Sequence, residues 1–329
     1  MAGPLSDAVR RRLLILSGLV AFLAGDVVFA LASDAGWLFA ARVLQGLGMG
    51  AGAAAAQAML NDSAGQDACD QRRASRTATA CVTFGLALGP LAGGLLAQYG
   101  PLPRQRAVRG PRHGCRRGGA ARGPHAACGA LRRWRQPRLG VPPVVRRTFL
   151  IAGASSFLAW AVLGMFSAVG PSLVSRMLGS ANLAVAAGAL TLMIATSGFV
   201  QFGAGKLAPT AAQAIGLVVL AAGLALLVVA NEVGVAWLVV TGTGHGLVFT
   251  GALAEFTVVT PPAERGAVIG SYYVVSYLGL GGPVIGVGLL SLAQGLSAAT
   301  VLVAAVVVVC CLVLAPLVFL EIRRCANPQ

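Results

Sequence analysis

Apolar residues in this chain run in long blocks broken by short polar segments. A helix that crosses about 30 Å of hydrocarbon at about 1.5 Å per residue needs about 20 apolar residues. Three blocks of that size precede residue 101, at 13–33, 37–60 and 77–99. Six more follow, at 148–169, 183–204, 212–231, 235–257, 267–291 and 297–320. Inside the blocks polar and apolar residues do not alternate, and Gly, Ala and Leu dominate, so they read as helices and not as barrel strands. The pattern predicts an all-α polytopic membrane protein with about nine spanning helices.

Composition agrees. Of the 329 residues, 57% are hydrophobic and 11% charged, against about 25% charged in an ordinary soluble domain. A surface with so little charge is one that faces lipid.

The net charge of +15 would suggest a nucleic-acid partner if it were spread over the chain, but it is local. Between Pro101 and Arg147 there are 13 arginines and no acidic residue, and outside that window 12 basic residues face 10 acidic ones. Elsewhere the basic residues mark orientation, because Lys and Arg stay on the cytoplasmic side. Arg10 to Arg12, Arg72, Arg73, Arg76, Arg146, Arg147, Lys206, Arg265, Arg323 and Arg324 fall on loops that alternate correctly, and the opposite loops carry Arg176. The C-terminus is therefore expected in the cytoplasm, in a cell membrane. One place breaks the alternation. The third block ends outside near Gly100, yet the block after Arg147 starts inside, and the stretch between is rich in arginine. Each arginine at the membrane centre costs about 2.5–3.5 kcal/mol on insertion scales, so that stretch does not cross.

Three local patterns carry a family resemblance. The chain opens Gly3-Pro-Leu5-Ser-Asp7, followed by Arg10, Arg11 and Arg12; the second block begins Leu38-x-x-x-Arg42-x-x-Gln45-Gly46-x-Gly48; the third contains Gly85-x-x-x-Gly89-Pro90-x-x-Gly93-Gly94. In this order they resemble the major facilitator superfamily, and among its members the proton-linked drug antiporters. The third pattern looks like the antiporter motif on the fifth helix of that subgroup. Tyr272–Gly288 looks like its eleventh helix. The resemblance spans most of the chain apart from about 101–142.

Each motif residue has a physical reading beside the one the resemblance implies. Gly85, Gly89 and Gly93 recur every four residues, a smooth face that lets another backbone approach, and Pro90 removes a backbone donor and favours a bend. The resemblance implies a helix that seals the outer side and favours export; ordinary Gly-mediated packing is the plainer reading. Arg42 lies a few residues into its helix, where a side chain can snorkel to the interface. The resemblance implies instead a guanidinium that pairs with a carboxylate and couples proton movement. Gln45, one turn on, extends that face together with the pairs Gly46/Gly50 and Gly48/Gly52. Asp26 lies well inside the first block, and an intramembrane carboxylate is a functional candidate, although the resemblance supplies no motif there. Asp7 with Arg11 and Arg12 resembles a cytoplasmic gate, imperfectly, since Ala8 and Arg10 depart from the pattern. A positive-inside anchor explains these residues equally well. In the second half His245 sits mid-helix within Gly242-Thr-Gly244-His245-Gly246 and Glu255 near the inner end of the same helix; they are the second-half candidates, with a packed histidine and an interfacial glutamate as the alternatives.

The sequence has no phosphate-binding lysine loop, no GxSxG and no HExxH, so ATP-driven transport and membrane hydrolysis lack their residues. No enzyme activity, cofactor or metal is expected. Cys81, Cys310 and Cys311 fall in apolar runs and read as small packing residues.

Aligned by its motifs, the chain is expected to begin after the family's second helix, and the Arg-rich stretch replaces the sixth. The expected organisation is a partial three-helix bundle over 1–100, an Arg/Gly/Pro-rich linker over 101–145 and a six-helix bundle over 146–329. Four readings compete for the stretch. A nucleic-acid arm would need stacking aromatics, and Trp134 stands alone. A zinc site from His113, Cys115, His125 and Cys128 has irregular spacing. A lipid-binding or disordered cytoplasmic loop is physically sound. The composition fits best a frameshifted reading of GC-rich DNA that once encoded a helix. The functional expectation is proton-coupled efflux of small amphipathic molecules, with the lipid bilayer, the substrate and protons as partners, no nucleic acid, and oligomeric state undetermined. The alternative is a truncated or frameshifted membrane protein that does not transport.

Overall fold

A computed structural model describes residues 11–63, 68–99, 141–177, 179, 182–204, 207–227, 236–261 and 264–326. Among them are nine α-helices: α1 (Arg11–Ala30), α2 (Ala35–Ser63), α3 (Ala68–Tyr99), α4 (Arg146–Met177), α5 (Leu183–Ala204), α6 (Pro209–Leu226), α7 (Ala236–Val259), α8 (Arg265–Gln294) and α9 (Leu296–Ala326). A 3-10 turn at Pro143–Val145 leads into α4. Each apolar block of the sequence overlaps one of these helices. The Arg-rich stretch and Asp7 lie outside the described residues, so the readings made for them are not addressed by the structure.

Six of these helices, α4 to α9, are long and apolar enough to cross a membrane. The apolar parts of α1 and α3, Ile15–Ala30 and Phe84–Tyr99, are shorter. The protein is a membrane protein built from helices.

Local chemistry fixes where several helices start. Asp34 Oδ1 accepts from the amides of Gly36 at 2.7 Å and Trp37 at 3.2 Å, occupying donors that the first turn of α2 leaves without intrahelical partners. At α5, Asn182 Oδ1 accepts from Ala184 at 2.9 Å and Val185 at 3.4 Å, while Gln98 Oε1 on α3 accepts from Leu183 at 3.0 Å. Pro209 opens α6, where a missing N–H removes nothing. Gly295, at φ +80°, makes the reversal between α8 and α9, a backbone region closed to residues with a Cβ except under strain.

The chain forms two compact units. The first comprises Met1–Ala78 and Tyr99–Pro137, the second Thr79–Gln98 and Arg138–Gln329. The division falls inside α3, so the part of that helix that carries the glycine motif counts with the second unit.

In the first unit α1 lies along α2. A Cβ on Gly18 would sit 2.7 Å from Gly48 O and 2.8 Å from Gly52 N; one on Gly48 would meet Gly18 O and lie 2.5 Å from Phe22 N. The backbones touch there, which is how small residues hold helices together in lipid, where apolar surface alone gives no preference. Farther along, Gly25 faces Ala41 and Gln45, with Gln45 Cγ 2.7 Å from where its Cβ would be.

In the second unit α4 packs against α5, α7, α8 and α9, and α7 packs against α5 and α6. The α4 helix is therefore mostly buried, with Ala152, Ala159, Val162, Met165 and Phe166 at 2% exposure or less. Trp237, Leu217 and Leu220 fill the space beside it and are fully buried. The glycines of α7 serve two neighbours: Gly242 and Gly246 abut the α5 backbone at Met193 and Ser197, and Gly244 and Gly251 abut α6 at Leu220 and Gln213. A helix with larger residues at these four positions could not lie against both.

Candidate functional site: a carboxylate–amide–guanidinium chain and an aromatic cluster around a buried histidine

In the first unit the three residues picked out for transport come together. Asp26 is on α1, four residues before its end, and Arg42 and Gln45 are on α2, seven and ten residues after its start. Gln45 Nε2 donates to Asp26 Oδ1 at 2.7 Å, and Arg42 donates to Gln45 Oε1 at 3.0 Å. The Arg42 guanidinium also lies 4.8 Å from the centre of the Phe29 ring, a cation–π contact. A carboxylate and a guanidinium are thus joined through an amide that uses its donor on one and its acceptor on the other. Gly25 makes this possible, because any side chain there would displace Gln45. Asp26 and Gln45 are half-buried, and Arg42 is exposed on the outer surface of the pair.

The Asp26 carboxyl accepts the Gln45 amide and, through it, holds Arg42 in place; hydrogen bonds to a charged acceptor are roughly twice as strong as those between neutral groups.

The glycine motif of α3 is only partly in contact. A Cβ on Gly94 would collide with Ala187 and lie 2.9 Å from Leu183 O, so α5 rests on this residue. Thr191 Oγ1 on α5 donates to Ala87 O at 2.9 Å, closing a second link between the same helices. Around Gly85, Gly89 and Gly93 a Cβ would meet nothing within 4 Å among the described residues. Pro90 lies within α3, which continues through it. In the α1–α2 pair, likewise, Gly48 is a contact residue and Gly46 and Gly50 have open space. Arg11 opens α1, and Arg12 follows it.

The second-half candidates are separated in role. Glu255 is half-buried in the last part of α7. His245 is buried at 6% exposure, and its Nδ1 is 2.8 Å from Ser197 Oγ on α5. Around it lies a cluster that the sequence reading missed. Trp160 on α4 has its ring 6.1 Å from that of His245, 5.8 Å from Phe249 and 5.3 Å from Tyr277. Phe249 lies parallel to His245 at 6.4 Å, and Tyr273 joins Phe249 and Tyr277. Below it Ser156 and Ser276 share a 2.7 Å hydrogen bond between α4 and α8, and Gln213 Nε2 donates to Ser155 at 2.7 Å. The available signal was the density of aromatic residues at 272–277 in a chain only 6% aromatic.

Two solved structures of a bacterial homologue of the human lysosomal transporter Spinster superpose on this chain. For the inward-facing, occupied form the TM-score is 0.63 with 16% identity, covering 94% of this chain and 82% of the other. For the inward-facing, unoccupied form it is 0.65 with 14% identity, covering 97% and 84%. The chain shares its fold with these structures. In sequence, residues 1–110 match the Major Facilitator Superfamily model. Vesicular acetylcholine transporters of Rattus norvegicus and Homo sapiens are each 35% identical to it over 99 residues, 30% of this chain. A probable vesicular acetylcholine transporter-B of Danio rerio is equally similar over the same length. The chain spans about a fifth of the length of these relatives, 18–20%.

Proposed function

We propose that this protein is a secondary active transporter of the major-facilitator type, which exchanges protons for small amphipathic molecules and exports them across the cell membrane. The observation that carries the reading is the Asp26–Gln45–Arg42 chain. Ionisable groups within apolar helices are expensive to keep, and they mark proton or substrate paths when they are joined to one another. Here they occupy helices in the part of the chain whose sequence matches the Major Facilitator Superfamily. The similarity to vesicular acetylcholine transporters over 99 residues supports a small, amphipathic organic substrate. Asp26 takes and releases the proton, Gln45 transmits the change, and Arg42 answers it. Transport then follows from rocking of two halves about a central site. Asp7, Arg11 and Arg12 act at the cytoplasmic gate, the Gly85–Gly94 motif favours export, and the C-terminus is cytoplasmic.

Proton-driven efflux in inverted vesicles tests this. The parent chain should move a lipophilic amine dye when a pH gradient is imposed, and Arg42→Ala and Asp26→Asn should abolish the pH-driven part while remaining in the membrane. No gradient-dependent flux in the parent would sink the exporter reading.

A second reading has its own support. The family match stops at residue 110, inside the Arg-rich stretch where the alternation of loop charges also fails. A frameshift there would yield a membrane protein that does not transport. Resequencing the locus and translating the other two frames decides it: a run of about 20 apolar residues in one of them supports the reading, and its absence from both removes it.

A further inference from the structure

Among the described residues three buried ring nitrogens have no hydrogen-bond partner, those of Trp160, Trp237 and His245, and Trp160 and His245 are neighbours. Gln201 Nε2 donates to Ser197 Oγ at 3.2 Å, and Ser197 Oγ lies 2.8 Å from His245 Nδ1. An amide nitrogen donates and does not accept, so Ser197 accepts from Gln201; the acceptor within reach of its own hydrogen among the described residues is His245 Nδ1, which takes it. Nδ1 is then the accepting nitrogen of the neutral ring, and the ring proton sits on Nε2. That Nε2 is fully buried and bonded to nothing, and so is Nε1 of Trp160. The two rings are 6.1 Å apart. Buried N–H groups in native proteins nearly always have a partner, and an orphan needs an explanation.

Hydrogen bonds and ring contacts bring Ser197, Phe249 and Tyr277 to these two rings, and none of the three is charged. An ionised carboxylate brought here would lose its hydration with no cation to replace it, whereas a neutral carbonyl oxygen loses far less. Phe249 and Tyr277 each meet Trp160 edge-to-face, at 5.8 and 5.3 Å, which suits an apolar or aromatic body attached to that oxygen.

We propose that His245 Nε2–H and Trp160 Nε1–H form a two-donor subsite for the neutral carbonyl oxygen of an apolar or aromatic small molecule (a ketone, amide or ester). As part of an export path it rests on the transporter reading, but its binding chemistry does not. His245 is then a ligand-binding donor held in one tautomer by Ser197, and not a proton carrier.

The test uses the full chain in lipid nanodiscs with three probes of one size: acetophenone, which has a neutral carbonyl; ethylbenzene, which has none; and benzoate, which is charged. The readouts are the ¹⁵N–¹H signals of the Trp160 indole and the His245 imidazole. His113→Gln and His125→Gln leave His245 as the single histidine, and the indole signal is the one lost in Trp160→Phe. Acetophenone should shift both signals saturably, and ethylbenzene and benzoate should leave them in place. Trp160→Phe should weaken acetophenone binding about fivefold, the loss expected of one neutral hydrogen bond. If acetophenone moves neither signal, a resident water occupies the place and the proposal is overturned. Equal shifts with ethylbenzene overturn it too, since they would report partitioning near the rings. These results stand apart from flux: binding with no gradient-driven efflux defeats the transporter reading alone, and efflux with unmoved signals defeats the subsite alone.

Discussion

Gln45 on α2 donates a 2.7 Å hydrogen bond to Asp26 on α1, and the other end of the same amide accepts from Arg42. The carboxylate and the guanidinium are therefore coupled through a group that carries no charge of its own. Gln45→Leu should lower gradient-driven efflux as severely as Asp26→Asn, at least tenfold. The Gln45→Leu/Asp26→Asn double variant should be no worse than the more damaged single, because residues that act as one unit lose their effect together. Initial rates in inverted vesicles measure this, and additive losses would show that the two act separately.

The contact between α1 and α2 rests on glycine at particular positions. Gly48→Ala places a methyl against Gly18 O and 2.5 Å from Phe22 N, and overpacking of that kind costs about 1–3 kcal/mol. Gly46→Ala, two residues away, meets open space and should be neutral or stabilising by up to about 1 kcal/mol through helix propensity. Thermal unfolding of the two variants in detergent should separate them, with Gly48→Ala melting lower than the parent and Gly46→Ala not.

In the glycine motif the same comparison separates packing from direction of transport. Gly94→Ala should lower the melting temperature, since Ala187 and Leu183 leave no room. Gly89→Ala should leave stability unchanged. A loss of efflux in Gly89→Ala at parental stability would assign that glycine a part in the transport cycle; unchanged efflux would leave the motif as packing.

The start of α5 is held by two side chains from different places in the chain. Asn182→Ala removes the acceptor for Ala184 and Val185 and should cost about 1 kcal/mol, the usual loss for a helix cap. Gln98→Ala removes the acceptor for Leu183 and should destabilise the α3–α5 contact as well. Melting of the singles and the double checks this, and both singles should melt below the parent.

Helix positions were legible in the sequence because a membrane span is a long apolar run, and length alone separates it from other structures. The block at 183–204 coincides with α5 at both ends. Asp26, Arg42 and Gln45 stood out for a related reason: polar groups within apolar blocks are rare enough to be counted. That Gln45 is the bridge was not legible, since the pairing depends on how α1 and α2 are rotated about their axes, and Gly25 and Gly18 set that rotation. Which glycine of the α3 motif meets α5 was not legible for the same reason. A repeat of four gives one smooth face through Gly85, Gly89 and Gly93, and among the described residues the glycine against α5 is the next one, Gly94.

Alone, then, the sequence determined the solvent of this protein, its helical class, the approximate span of each helix and a short set of polar candidates. All of these follow from local composition against a fixed bilayer thickness. The tertiary structure decided which glycines are contacts, which donor meets which acceptor, and that Trp160 and His245, 85 residues apart in sequence, share one aromatic cluster with two unanswered ring nitrogens. Those depend on helix rotation and approach. In lipid these are set by the summed fit of small residues along each pair, a property that no single segment carries.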